Sequence, residues 1–258
     1  MLGQYSVLAP FYDSLNGGTF DYDGYADAVE KLLDRNGIPK GSLLLDLACG
    51  TGAMTLRLLK RGYDVIGVDL SPEMLGICRE NCENEGFSPL LLCQDMCSLD
   101  LYGTVEAAVC CLDSVNYLTG DGELDILFSK LKNFISPGGL FIFDINTERK
   151  FGEIYANNVY TYDADGVFCV WQNSFDKKTR LCDFDLTFFI EEKKGLYRRA
   201  EEHQCERCYT VDEISAAAKN NRFTLEAVCS DVGLTPSDGS EQRSYCICIR
   251  NKLQTFPA

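Results

Sequence analysis

Short apolar runs alternate with longer amphipathic stretches through the first half of the chain. Each run is short enough for a buried strand, and glycine, proline or charged residues bound it. The runs that predict strands cover residues 43–48, 64–68, 90–93, 105–112 and 140–145. Strands that alternate with helices are typical of a doubly wound sheet in which neighbouring strands run parallel.

Helix signals lie between and around these runs. Ser71 followed by Pro72 supplies an N-cap and a first helical residue for a helix over residues 72–84. A capping box, Thr210-x-x-Glu213, predicts a helix that ends near residue 220 and precedes strands near residues 223–229 and 245–249. Further helices are predicted over residues 2–15, 25–36, 53–60 and 123–135.

A different pattern occupies the segment between the predicted strand at residues 140–145 and the capping box that begins at Thr210. Residues 167–175, 180–190 and 196–208 are long, rich in aromatic and β-branched side chains, and separated by polar turns. Apolar and polar positions alternate along them, which predicts antiparallel strands with one buried face. The fold class is therefore α/β, a doubly wound, seven-stranded, mostly parallel Rossmann-like sheet with an inserted antiparallel β-meander.

The charge balance limits the class of partner. The chain has 24 Lys and Arg against 39 Asp and Glu, a formal charge of −15. An acidic chain repels phosphate backbones and anionic bilayers, so we expect no nucleic-acid and no membrane partner. Residues 1–30 lack Lys and Arg, and no apolar run approaches the roughly 20 residues of a membrane span, so we expect a cytoplasmic protein.

The 14 cysteines predict neither disulfides nor a metal site. Most lie inside apolar runs, where a thiol is a small hydrophobic side chain. His203-x-Cys205-x-x-Cys208 has the right residue types for zinc, but the sequence offers no second ligand pair. We therefore expect no metal among the site residues.

The sharpest local signal is the run from Asp46 through Ala48 and Cys49 to Gly50-Thr51-Gly52. A buried strand leads here into a glycine turn and a helix N-terminus, which allows close backbone approach to a ligand. A dinucleotide motif has a third glycine, and this chain has Thr55 there. The loop is therefore not expected to hold a pyrophosphate.

Acidic residues end the next two predicted strands. Asp69 can accept hydrogen bonds from both hydroxyls of a ribose, although it can also serve as a helix N-terminal charge. Asp95, in Gln94-Asp95-Met96, can accept from an exocyclic amine while Met96 packs on an adenine face. In a doubly wound sheet these strand ends face the same crevice.

Together these motifs resemble the class I S-adenosylmethionine-dependent methyltransferases over about residues 1–145. The resemblance rests on residues 46–52, 69–75, 94–96 and 131–144. It implies S-adenosylmethionine as cofactor, with its methionine part on Asp46 and the backbone of residues 48–50, its ribose on Asp69, and its adenine on Asp95 and Met96. Other residues of the expected cofactor site are Leu70, Met74, Gln94 and Leu112.

Within that superfamily the chain is similar to the small-molecule branch that includes amino-sugar and glycine-type N-methyltransferases. This resemblance implies a domain of residues 1–150 and 209–258, with lid helices in residues 1–40 and a substrate-capping insertion over residues 151–208. Tyr5 and Tyr12 are lid candidates for the cofactor, unless they only pack their helix. We expect a small-molecule acceptor and a monomer or homodimer.

The acceptor side is expected after the fourth strand. Asp113 and Tyr117 can reach the crevice there, and Ser114-Val115 replaces the Pro-Pro pair of nucleic-acid amino methyltransferases. His203 is the only histidine and the only side chain whose unperturbed pKa is near neutrality. It is expected to accept the acceptor's proton if the insertion caps the pocket; otherwise it is a surface residue of an edge strand.

Three other functions remain open. Asp113, Asp144 and Asn146 supply oxygens of the kind that bind Mg²⁺, so a metal-assisted small-molecule O-methyltransferase is one alternative. A non-catalytic cofactor-binding protein would keep the glycine loop and strand-end acids without an acceptor pocket. A nicotinamide oxidoreductase shares the loop and Asp69 but would have the third glycine. The preferred function is methyl transfer from S-adenosylmethionine to an amine.

Overall fold

The computed structural model describes residues 5–16, 20–164 and 166–252, with Asn16 described by its backbone alone. Eleven strands form two sheets. The strands are β1 (Leu43–Leu47), β2 (Asp64–Asp69), β3 (Leu90–Cys93), β4 (Val105–Cys110), β5 (Ile135–Asn146), β6 (Val159–Ala164), β7 (Val167–Asp176), β8 (Leu181–Lys193), β9 (Leu196–Arg207), β10 (Phe223–Cys229) and β11 (Arg243–Arg250).

The larger sheet has seven strands in the order β10-β11-β5-β4-β1-β2-β3. Strands β1 to β5 run parallel, and β11 is antiparallel to both β5 and β10. The prediction of a seven-stranded, mostly parallel sheet is confirmed. The strand order reverses between β1 and β4, which is where ligands bind in open α/β sheets.

Within the described ranges six α-helices accompany the sheets, and two of them match their predicted bounds. They are α1 (Tyr12–Asn16), α2 (Tyr22–Arg35), α3 (Ala53–Lys60), α4 (Pro72–Asn84), α5 (Glu123–Phe134) and α6 (Val211–Asn220). Ser71 caps α4 by accepting a hydrogen bond from the Met74 amide, and the predicted capping box opens α6. No helix in the described part of the chain is long and apolar enough to cross a membrane.

The predicted helix over residues 2–15 is confirmed for residues 12–15 and wrong for residues 5–11; residues 2–4 lie outside the described part. Residues 5–8 form turns, a 3₁₀ helix spans Ala9–Phe11, and only the short α1 follows. The amides of Tyr5, Val7 and Leu8 donate to the carboxylate of Glu202 instead of to helical carbonyls. Helix formation therefore begins only after these contacts.

The segment that ends in β5 also differs from its prediction. Helix α5 ends at Phe134, and β5 begins at Ile135, five residues before the predicted strand. A Cβ on Gly139 would lie 2.3 Å from the Glu106 carbonyl oxygen of the neighbouring strand. Glycine thus allows β5 to continue beside β4 here.

The inserted meander is confirmed and contains one more strand than predicted. Its sheet has the order β6-β7-β8-β9, with antiparallel neighbours throughout. Strand β6 was missed because most of its side chains are exposed, which leaves no apolar alternation to detect. A π-helix over Lys150–Tyr155 precedes it, and Phe151 packs with Phe184, Phe188 and Leu8 in one core cluster.

Candidate functional site

The carboxyl ends of β1, β2, β3 and β4 border a cavity, here termed the first cavity. It lies beside the point where the strand order reverses. The residues predicted for cofactor binding all line it: Tyr5, Tyr12, Asp46, Ala48, Cys49, Gly50, Asp69, Leu70, Met74, Gln94, Asp95, Met96 and Leu112. Tyr22, which the sequence analysis missed, lines it too.

The glycine loop after β1 is held in place by Asp69. The amide of Gly50 donates to one carboxylate oxygen of Asp69 at 2.8 Å, and the amide of Ser71 donates to the other at 2.8 Å. Burial raises the pKa of Asp69. A Cβ on Gly52 would lie 2.5 Å from the sulfur of Cys78, so the loop cannot take a larger residue at this position.

Asp46 is fully buried beneath the loop. It accepts a hydrogen bond from the hydroxyl of Thr55, the residue that replaces the third glycine of a dinucleotide motif. Burial raises the pKa of Asp46 to about 7, despite this hydrogen bond. Because Thr55 stands where a dinucleotide motif has its third glycine, helix α3 supplies a hydrogen-bond donor to Asp46.

The segment after β3 forms a short turn at the cavity edge. Asp95 accepts a hydrogen bond from the Cys97 amide at 2.7 Å and caps a 3₁₀ helix over Met96–Ser98. Gln94 exchanges two hydrogen bonds with the backbone of Asp100. These contacts fix the turn while Asp95 and Met96 remain in the cavity wall.

These features fit the nucleoside and amino-acid parts of S-adenosylmethionine. Asp69 is a buried acid beside a close-approach glycine loop, which suits a ribose. Asp46 is a buried carboxyl that an ammonium group would allow to ionise. The exposed backbone and side chains of the turn after β3 suit an adenine edge and face. The donor set of the first cavity therefore agrees with this cofactor.

The N-terminal segment closes one side of the first cavity. The hydroxyl of Thr51 donates to Asp13 of α1 at 2.9 Å, which ties this segment to the glycine loop. The ring of Tyr5 lies 5.9 Å, between centroids, from those of both Tyr12 and Tyr117. Tyr5 is also in the left-handed backbone region, with φ 64°.

Glu202 on β9 holds this segment from the insertion side. Its carboxylate accepts three main-chain hydrogen bonds of 2.9 to 3.1 Å, from residues 5, 7 and 8. Gln204 donates to the same carboxylate at 2.7 Å and accepts from the hydroxyl of Tyr117 at 2.8 Å. A chain of hydrogen bonds thus joins the N-terminal segment to a residue that lines the first cavity.

A second cavity adjoins the first and lies between the two sheets. Tyr5, Tyr12, Leu112 and Tyr117 line both cavities. The second cavity is further lined by aromatic and polar side chains, including Tyr155, Tyr160, Trp171, Gln204, Glu206, Lys150 and Arg243. The wall combines π-faces with buried charged groups.

The oxygen cluster on which the metal-assisted alternative depends contains an arginine. Arg243 donates to Asp113 at 2.7 Å and also to Asp144. Asp144 further accepts the amides of Leu112 and Asp113 at 2.8 and 2.9 Å. Because a guanidinium occupies these oxygens, the structure does not support the metal-assisted alternative, and the described residues contain no other cluster of metal-ligating side chains.

The structure places His203 outside both cavities. On β9 alternate residues face opposite sides, so Gln204 and Glu206 point inward while His203 lies on the outer face. Its ring nitrogens lie 2.9 Å from Asp185 and 3.4 Å from Asp183, and its side chain is 58% exposed. The expectation that His203 reaches the acceptor is therefore wrong in this structure.

The other two catalytic candidates do lie at the cavities. Asp113 lines the second cavity, and Tyr117 lines both. Lys150, Glu206 and Arg243 also line the second cavity and were not predicted from the sequence. Strand β9 carries polar residues at alternate positions, namely Glu202, Gln204 and Glu206. This alternation is the sequence signal that could have identified the side of the insertion that faces the second cavity.

Comparisons with known proteins agree with this geometry. A family model described as "Methyltransferase domain" matches residues 44–139. The chain is similar to a crystallised S-adenosylmethionine-dependent methyltransferase from Clostridium acetobutylicum ATCC 824, with 30% identity, coverage of 96% of this chain and 99% of that one, and a TM-score of 0.85.

The chain is also similar in sequence to two curated methyltransferases, whose names differ in how much they state. YqeM of Bacillus subtilis (strain 168), described as a methyltransferase candidate, is 29% identical over 96% of this chain and 98% of its own length. A Streptomyces fradiae enzyme named dTDP-3-amino-3,6-dideoxy-alpha-D-glucopyranose N,N-dimethyltransferase is 32% identical over 52% of this chain and 51% of its own. Only the second name states an acceptor.

Proposed function

Because this chain belongs to the S-adenosylmethionine-dependent methyltransferases, we propose that it methylates a small-molecule amine bound in the second cavity. The cofactor supplies an electrophilic methyl group on a sulfonium. Transfer from a sulfonium is an in-line displacement, and it depends mainly on alignment and exclusion of water. The protein has to hold the acceptor beside the first cavity and take up one proton from it.

The first cavity is the proposed cofactor site. Asp46 and the backbone of residues 48–50 bind the methionine part, Asp69 binds the ribose, and Asp95 and Met96 bind the adenine. Tyr5 and Tyr12 cover this site from the N-terminal segment. The contacts of Asp69 with the glycine loop and of Asp13 with Thr51 support this assignment, because they fix the loop before the cofactor arrives.

The composition of the second cavity carries the choice of an amine. Glu206 is buried in its wall, and aromatic rings, including Tyr155 and Trp171, surround the same space. A cationic group is attracted both to ring faces and to a buried carboxylate. The amino-sugar N,N-dimethyltransferase relative supports the same acceptor class.

We also propose that two parts of the chain have different roles. Residues 1–150 and 209–258 form the methyltransferase domain, in which residues 1–40 serve as the lid. Residues 151–208 form the subdomain that caps the acceptor. The position of Gln204 and Glu206 in the wall of the second cavity supports this division.

A paired-acceptor assay tests the proposed function. The protein is incubated with methyl-labelled S-adenosylmethionine and a panel of amino sugars, amino acids and simple amines, each matched with the alcohol in which hydroxyl replaces the amino group. We expect label on nitrogen for at least one amine and none on its alcohol counterpart. Label on alcohols alone would refute the choice of an amine.

A further inference from the structure

Two carboxyl groups, the partly buried Asp113 and the buried Glu206, meet at the side-chain amide of Asn146. The Asn146 Nδ2 atom donates to Asp113 at 2.8 Å and to Glu206 at 2.9 Å. Both carboxyls line the second cavity, and Glu206 is 2% exposed. Asn146 itself accepts from Lys150 at 2.8 Å, so its orientation is fixed with the amide nitrogen toward the carboxyls.

The surroundings push the two carboxyls toward different protonation states. Burial raises the pKa of Asp113, but the charges of Arg243 and Lys150 outweigh it and leave that pKa lowered. Burial raises the pKa of Glu206 well above its usual range, and the negative charge of Asp113 raises it further. When the surroundings of two neighbouring acids separate their pKa values, one acid stays ionised and the other can carry a proton.

We propose that Glu206 accepts the proton of an ammonium acceptor, an inference that rests on the proposed function. When the ammonium enters, Glu206 releases its own proton to solvent and becomes a carboxylate. The N–H bond of the ammonium then breaks, its proton passes to this carboxylate, and the electron pair stays on nitrogen. That pair forms the new N–C bond to the methyl group, while the electrons of the broken C–S bond return to sulfur. The products are S-adenosylhomocysteine and a methylated ammonium, and Glu206 is again protonated.

The charges around the pair fit a cationic ligand. With Glu206 protonated, Asp113 and Asp144 balance Arg243 and Lys150. Ionisation of Glu206 adds one negative charge, which a bound ammonium neutralises. The remaining titratable neighbours are three phenols and two thiols, and burial raises the pKa of each of them: Tyr5, Tyr117, Tyr155, Cys182 and Cys205.

Lys150 is the competing proton acceptor, because burial lowers its pKa. Its nitrogen is committed to Asn146 and lies 5.0 Å over the ring of Tyr155. Both carboxylate oxygens of Asp113 already accept hydrogen bonds, one from Arg243 and the other from Asn146. Glu206 is therefore the carboxyl best placed to change its protonation when a ligand enters.

Glu206→Gln tests the inference, with Glu201→Gln, an exposed residue of the same strand, as the matched control. Protein labelled with ¹³C at glutamate carboxyls is titrated by NMR, and the rate of amine methylation is measured against pH. We expect a glutamate resonance that titrates well above pH 4.5 in the wild type and is missing in Glu206→Gln. We expect this variant's kcat to fall about 100-fold near neutral pH and to rise about tenfold per pH unit as the free amine forms.

The outcomes separate this inference from the proposed function. A Glu206→Gln variant that methylates the same amine with the wild-type rate and pH profile overturns the role of Glu206 and leaves the proposed function intact. Wild-type protein that labels only alcohols refutes the proposed function. A Glu206 resonance that titrates at the ordinary glutamate pKa overturns the inference for any acceptor.

Discussion

Glu202→Ala should open the lid of the first cavity. The substitution removes the acceptor of three main-chain hydrogen bonds from residues 5, 7 and 8 and of a fourth from Gln204. Among the described residues of the insertion, Glu202 alone accepts hydrogen bonds from these three amides. We therefore expect the N-terminal segment to leave its position over Tyr117.

The size of the effect follows from the exposure of the three donors. A hydrogen bond to a charged group contributes about 1.5 to 3 kcal/mol, and a buried donor without a partner costs about 1 to 3 kcal/mol. Tyr5 and Val7 are half-buried and regain water, whereas Leu8 is buried and its amide does not. We expect docking of the segment to weaken by about 2 to 4 kcal/mol, which is roughly 30-fold or more.

Calorimetry with S-adenosylmethionine and hydrogen exchange at residues 5, 7 and 8 measure this change. We expect the cofactor Kd to rise at least about tenfold and protection of these amides to be lost, while the melting temperature changes little. Glu201→Gln is the control and should match the wild type, because Glu201 is exposed and pairs with Arg199. An unchanged Kd in Glu202→Ala, with the amides exposed to exchange, would refute the coupling of lid and cofactor.

Four further changes, three substitutions and one addition, have defined outcomes. Burial raises the pKa of Asp46 to about 7 in the folded protein, so the native state binds an extra proton between about pH 4 and 7. The free energy of unfolding should therefore fall by about 4 kcal/mol as the pH rises through this window. Urea unfolding of Asp46→Asn should lack this fall, and an equal pH dependence in the variant would contradict the reasoning. EDTA should leave activity unchanged, because Arg243 occupies the oxygens of Asp113 and Asp144. Arg243→Met leaves these two carboxylates without their cation, so it should lower the free energy of unfolding by about 3 to 5 kcal/mol. His203→Ala should keep wild-type turnover, and a tenfold loss would restore a role in proton transfer.

The main sheet could be predicted because its signals are local. Ser71 and the Thr210-x-x-Glu213 box fix helix starts within a few residues, and strand-end acids such as Asp69 follow directly from the apolar runs. The residues predicted for the cofactor come from these strand ends, from the first turn of α4 in the case of Met74, or from the N-terminal segment. They line one cavity because parallel strands bring their carboxyl ends to one edge.

The second cavity could not be predicted in the same way. Asp113 and Arg243 are 130 residues apart, and Asn146 and Glu206 are 60 apart, so no local pattern relates them. The nearby aspartates suggested a metal because the sequence does not show which cation reaches them. His203 was favoured for its chemistry alone, while the strand alternation that turns it outward depends on packing against the main domain.

A crystal structure of the complex with S-adenosylhomocysteine tests the arrangement of the two cavities most directly. We expect the ribose hydroxyls within hydrogen-bond distance of Asp69 and the sulfur at the opening between the cavities, next to Leu112 and Tyr117. A nucleoside bound in the second cavity, or a sulfur that faces away from Glu206, would contradict the assignment of cofactor and acceptor.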